Sequence, residues 1–300
     1  MKLHHFSEVV AIAERGSIRA AARHLGVAQP ALTRSLAELE HELKAPLFER
    51  RSRGVVATPL GEAFVRRATL VLQEIRRTRE EIDQLRGAAT GNVTVGLSIA
   101  AHMALLPSAL RPFRARYPDV RLHIIEGFYP TLELGLRDAT VDFYIGPDSG
   151  RNVIPELTKE LLFEGQRTVL CRSGHPLAAK TSLKDIHHAD WITTSITAEA
   201  EEEIGVIFAH YHLPPPKLAV RIQSALTLMT CIANSDLLAM VPNQWTEFAL
   251  TKGVLSVINV KEELAAPPMV LIKRADLPLT PAATYLLDLM RKAQARRLRK

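Results

Sequence analysis

A change of period partway along the chain most narrows what it can fold into. Residues 1 to 88 read as one helix after another, with an extended pattern only near residues 47 to 57. Past the small residues Gly87, Ala88, Ala89, Thr90 and Gly91, short β-branched runs alternate with helical stretches, as in Val93 to Leu97 followed by the amphipathic stretch His102 to Tyr117. A helical front joined to βαβ units predicts an α/β multidomain protein with its boundary, and a hinge, in the small-residue segment. Further strands are predicted at Val120 to Ile125, Val141 to Ile145, Gln166 to Cys171, Leu237 to Val241, Val254 to Val260 and Met269 to Lys273. Pro214, Pro215 and Pro216 read as a stiff connector between a helix and a strand. A chain of 300 residues, 47% of them hydrophobic, can bury the cores of two or three domains.

Within the helical front, Ser17 is placed to N-cap a helix that carries Ala20, Ala21 and Ala22, small enough for a close helix crossing, and that stops at Gly26. A second helix starts at Gln29 and Pro30, and Leu32, Leu36, Leu39 and Leu43 recur on one buried face. This is the pattern of a helix-turn-helix. Its polar face opens with Gln29, Pro30, Thr33 and Arg34, an amide, a hydroxyl and a guanidinium suited to base edges in a major groove. Arg50, Arg51 and Arg53 then cluster beside Gly54 between two short extended runs, the make-up of a basic hairpin or wing. Alone such a cluster reads as an ordinary charged turn; after a helix-turn-helix it reads as a phosphate or minor-groove contact.

Charge agrees with a polyanionic partner. The net charge is +6, and residues 1 to 88 contribute +4 of it. The basic tail from Arg291 to Lys300 reads as a solvated helix end, where positive charge suits the helix dipole. No apolar stretch is long enough for a signal peptide or membrane span, so the expected compartment is the cytoplasm, with no membrane partner. Cys171 and Cys231 sit in apolar runs and read as buried thiols, a lone structural bridge being the alternative.

Thr58 and Pro59 begin a long helix whose apolar side runs Phe64, Ala68, Val71, Ile75, Ile82 and Leu85, with Thr78 the one polar interruption. A stripe this narrow suits a coiled-coil dimerisation seam; a helix packed on its own domain wants a wider one.

The run Gly16 to Ala22, Gln29 to Arg34, Leu39, Glu40, Leu43, Pro46 to Arg50, and Thr58, Pro59, Gly61 resembles the signature of LysR-type regulators, and Tyr117-Pro118-Asp119 and His175-Pro176-Leu177 resemble scattered motifs of that family. The resemblance implies an N-terminal winged helix-turn-helix over residues 1–58, a linker helix over 59–88 that pairs two subunits, and a two-lobed, periplasmic-binding-protein-like effector domain over 89–300. Lobe one is expected at 92–163 and 267–300, and lobe two at 164–266. It implies that Gln29, Pro30, Thr33 and Arg34 face the major groove and that Arg53 reaches the minor groove. It further implies a homodimer or homotetramer on an inverted-repeat operator in double-stranded DNA, and a small-molecule effector between the lobes. Ser98, Ala100, His102, Phe128, Tyr129, Pro130, Ser195 and Thr197 are the residues it brings to that cleft. No Lys or Arg is among them, and the aromatic walls favour a small aromatic or largely apolar organic anion. Ala28 departs from the family, which usually has a Ser capping the recognition helix. The Asn234-Ser235-Asp236 turn departs from a glycine-rich one.

Enzymatic readings find little support. Gly96-Leu97-Ser98 lacks the second glycine of a nucleophile elbow, Ala100 standing in its place. Ser98 reads equally as a ligand contact or as a plain N-cap. There is no phosphate loop, dinucleotide fingerprint or zinc-type Cys/His spacing, so no cofactor or metal is expected. His187, His188, His210 and His212 read as surface residues.

Overall fold

A computed structural model describes residues 1–51, 54–194, 199–247 and 251–297. Three helices open the chain: α1 (Leu3–Arg15), α2 (Ile18–Leu25) and α3 (Gln29–Leu43). Ser17 caps α2 by accepting from the Ala20 amide, and Gly26 ends it in the left-handed region (φ 69°), which a side chain would resist. Val9, Ile12, Ala21, Leu32, Leu36 and Leu39 form the core of this bundle. A two-stranded hairpin follows, β1 (Phe48–Arg51) on β2 (Gly54–Ala57). The Glu40 carboxylate ties it to α3, accepting from the amides of Leu47 (2.6 Å) and Phe48 (3.2 Å).

The long helix α4 (Pro59–Leu85) begins where predicted, with the Thr58 hydroxyl accepting from the Gly61 amide at 2.9 Å. Its first turns pack on the bundle: Phe64 stacks on Phe6 with ring centroids 5.6 Å apart, and Ala68 is fully buried. Its last turns pack on the α/β region, where the Gln84 amide donates to the Thr90 carbonyl (3.0 Å) and its oxygen accepts from the Ala282 amide (2.9 Å).

Beyond it come β3 (Thr90–Leu97), α5 (Ile99–Arg116), β4 (Asp119–Glu126), α6 (Tyr129–Arg137), β5 (Phe143–Pro147) and the long β6 (Leu157–Arg172). Then follow α7 (Leu183–Ile186), β7 (Asp190–Thr194), α8 (Glu199–His210), β8 (Lys217–Ile222), α9 (Ala225–Ala233) and β9 (Ala239–Pro242). A 3-10 turn (Asn243–Glu247), β10 (Leu255–Ile258), β11 (Ala265–Arg274) and α10 (Pro281–Arg297) complete the described chain. The main sheet runs β10-β6-β11-β5-β3-β4, with β9 also on β6, while β7 and β8 form a parallel pair. Two strands, β6 and β11, run antiparallel through both lobes and are the only covalent route between them among the described residues.

Lobe one stacks α5 and α10 on one face of β3, β4 and β5 around Val95, Phe113, Phe143 and Leu286, and puts α6 on the other around Leu132, Tyr144 and Ile272. Lobe two encloses Trp191, Phe208 and Met240 beneath α8, and Leu228, Ile232 and Trp245 beneath α9. The crossing is tight. A β-carbon on Gly165 would lie 2.1 Å from the Pro267 carbonyl oxygen, so the strands meet this closely only because position 165 has no side chain. Cys171 is buried, Cys231 half-buried, and both are free thiols. No helix among the described residues is long and apolar enough to cross a membrane.

Candidate functional site

The bundle presents one polar helix face. Gln29, Pro30 and Arg34 of α3 are exposed while Leu32, Leu36 and Leu39 point inward, as the four-three spacing of the leucines requires. The Thr33 hydroxyl donates to the Gln29 carbonyl at 3.0 Å. Ala28 stands at the N-cap with no side-chain bond; its carbonyl accepts from the Ala31 (3.0 Å) and Leu32 (3.1 Å) amides, and Pro30 has no amide hydrogen to satisfy. In the hairpin Arg50 and Arg51 are exposed, and Arg51 pairs with Glu49 at 2.9 Å. No carboxylate among the described residues pairs with Arg34 or Arg50. Arg53 lies outside the described residues.

The apolar stripe of α4 divides in two, which corrects the seam expected from sequence. Because α1 packs across the start of α4, Phe64 is half-buried against Phe6 and Ala68 is fully buried, with no surface left to offer a partner. From there on the stripe is open: Val71, Ile82 and Leu85 are exposed and Ile75 half-buried.

Between the lobes lies a cavity of about 220 Å³. Ser98, Ala100, Phe128, Tyr129 and Pro130 all line it, because the N-termini of α5 and α6 end there. Ser98 acts as an N-cap, its hydroxyl accepting from the Ala101 amide at 3.3 Å. The Tyr129 hydroxyl donates to Glu133 at 2.8 Å, and burial together with that carboxylate pushes its pKa up to about 12, so it stays protonated. His102 does not line the cavity: its imidazole turns to Glu126, 3.5 Å away at the end of β4. Ser195 and Thr197 lie outside the described residues; their neighbours Thr193 and Thr194 line the cavity.

The expectation of a cleft without Lys or Arg is overturned. Arg167, on the crossing strand β6, lines the cavity and donates to the Glu203 carboxylate of α8 and to the Ala265 carbonyl on β11. Burial pulls its pKa below the ordinary arginine value, with Glu203 opposing, yet a guanidinium stays charged throughout. Sequence reasoning also missed Gln166, Glu203, Gln244 and Trp245 on the wall. The signal available was a Gln-Arg pair at the head of the apolar run Val169 to Cys171, an odd place for a charge unless it faces a cavity. The indole N–H of buried Trp245 has no hydrogen-bond partner among the described residues. No group of three or more metal-type ligands occurs among them either.

Two family models match: "Bacterial regulatory helix-turn-helix protein, lysR family" over residues 3–62, and "LysR substrate binding domain" over residues 86–295. Among curated relatives, the HTH-type transcriptional regulator GalR of Pseudomonas putida is 28% identical over 94% of this chain and 71% of its own length. The SDS degradation transcriptional activation protein of a Pseudomonas species is 27% identical over 98% of this chain and 96% of its own. Among solved structures, a full-length OxyR variant from Pseudomonas aeruginosa superposes with a TM-score of 0.69 at 23% identity, covering 97% of this chain and 98% of that one. CbnR in complex with its target DNA superposes at 0.66 with 21% identity, covering 98% and 100%. These likenesses run through both domains, and the relatives are regulators rather than enzymes. The chain belongs to the LysR family of DNA-binding transcription regulators, with a helix-turn-helix domain in front and a two-lobed effector-binding domain behind.

Proposed function

We propose that two copies of this chain pair through the open half of α4, that the dimer reads an inverted-repeat operator with Gln29, Pro30, Thr33 and Arg34 in successive major grooves, and that a small aromatic or largely apolar organic acid in the cleft controls the complex. Ser17 orders the helix pair, and Arg50, Arg51 and Arg53 supply phosphate and minor-groove contacts from the wing. Val71, Ile75, Ile82 and Leu85 form the seam. In this reading two such dimers form a homotetramer, and the protein works in the cytoplasm, where its DNA is.

The observation that carries the effector reading is the cavity wall. Phe128, Tyr129, Pro130 and Trp245 give it apolar and aromatic sides, with Ser98 at the α5 N-terminus as a polar anchor. About 150 Å³ admits a benzene ring, so a cavity of about 220 Å³ has room for a ring and one acidic group. Thermal-shift screening tests the class, since a ligand that binds only the folded state raises stability by mass action. Aromatic carboxylates should raise the Tm; a response confined to sugars would reject the assignment.

A further inference from the structure

The proposed function leaves the Arg167–Glu203 pair without a task. It sits at the crossing of the two lobe-linking strands, on the wall of the cavity, and joins three elements: β6 through Arg167, α8 through Glu203 and β11 through the Ala265 carbonyl. The partners are unequal. The Arg167 side chain is 12% exposed, whereas that of Glu203 is 44% exposed. Stranding the guanidinium without a counter-ion is therefore costly, while releasing the carboxylate into solvent costs little. Trp245 adds an aromatic surface to the same wall.

We propose that the cleft ligand is a carboxylate that takes Arg167 over from Glu203. This rests on the reading of the cleft as the effector site and deepens it by naming the group that binds the anion and the group that leaves. The exchange keeps the buried charge constant, with one carboxylate replacing another on a fixed guanidinium. The apolar body of the incoming acid meets Phe128, Trp245 and the prolines of the wall. Release of Glu203 unties α8 from the strand crossing and leaves Arg167 bound to Ala265, so occupancy changes what holds the lobes at their hinge. In the absence of ligand, Glu203 acts as the built-in competitor that sets affinity.

The test uses the full-length chain, benzoate as the anionic probe and benzamide as its neutral counterpart, read by calorimetric titration. Glu203→Gln removes the competitor, so benzoate should bind this variant about tenfold or more tightly than it binds the native chain. Arg167→Gln should lose benzoate while leaving any benzamide response in place. Should Glu203→Gln fail to fold, the native chain supplies the same discrimination, with benzoate expected to bind and benzamide not. Equal binding of the two probes by the native chain, or equal benzoate affinity with and without Glu203, overturns the exchange and leaves the cleft standing as a site for a neutral ligand. Benzoate binding that survives Arg167→Gln and also survives Phe128→Ala overturns the placement of the site in the cleft itself.

Discussion

The Arg77 guanidinium lies 2.9 Å from the Asp142 carboxylate, and both side chains are almost completely buried where α4 meets lobe one. Arg77 also donates to the Ala139 carbonyl (3.2 Å), and the second Asp142 oxygen accepts from the Thr94 amide of β3 (2.8 Å). The linker helix is thereby fastened to β3 and to the residue just before β5. Ser98, just past the far end of β3, and Pro147, the last residue of β5, both line the cleft. Helix and cleft thus share two strands.

Burial raises the Asp142 carboxyl above its ordinary range and Arg77 works against the shift. Arg77→Met should push it further up. A carboxyl whose folded pKa is raised favours the folded state below its unfolded value, and that contribution is lost as pH rises through the folded one. The variant should therefore lose stability as the pH climbs above the ordinary carboxylate value of about 4, more steeply than the native chain. Urea denaturation at a series of pH values checks this. Asp142→Ala, which strands a buried guanidinium, should cost about 3 to 5 kcal/mol.

At the DNA surface, Arg34→Ala should weaken specific binding by about 1 to 3 kcal/mol and relax base preference. Arg50→Ala, at the proposed wing contact, should weaken matched and scrambled sites alike and reduce the salt dependence of binding. Gel-shift titrations on both kinds of site separate the two effects. Unchanged affinity in both variants would mean that this face does not meet DNA.

Ile82→Glu should dissociate the proposed α4 dimer. Ile82 is 45% exposed, so the substitution leaves the fold of one chain intact while placing two carboxylates face to face in a paired seam. Sedimentation showing a stable Ile82→Glu dimer would place the interface elsewhere.

For the cleft, Ser98→Ala should have two consequences. Loss of the cap on α5 should cost about 1 kcal/mol of stability, because the Ala101 amide loses its acceptor. Benzoate affinity should fall by about 1 to 2 kcal/mol if the hydroxyl also meets the ligand. Titration and thermal melts on one variant distinguish the plain cap from the anchor.

What could be read from the amino acids depended on the range of the forces involved. The starts of α3 and α4 were legible because Pro30, Thr58 and Pro59 act within one turn, and the leucines of α3 report burial through a short period. The first half of β6 was not: Lys159, Glu160 and Glu164 face outward and hide its pairing with β11, a contact between residues about a hundred positions apart. Strand β7 was missed for a similar reason, since Asp190 and the threonines after Ile192 lack the apolar run that marked its neighbours. Arg167 is not among the residues that the resemblance brings to the cleft, several of which sit at the N-termini of α5 and α6, whereas β6 delivers Arg167 from the crossing strands. The split of the α4 stripe also depends on a distant element, α1, whose docking no period in α4 reports.

Effector-controlled, sequence-specific DNA binding is tested most directly by footprinting the purified full-length chain on the DNA upstream of its own gene, with and without the aromatic carboxylate that raises its Tm. Expected are two protected half-sites separated by whole helical turns, about 10 base pairs or a multiple of it, with a protection pattern that changes when the ligand is added. Protection no stronger than on unrelated DNA, or a footprint identical with and without ligand, would contradict it.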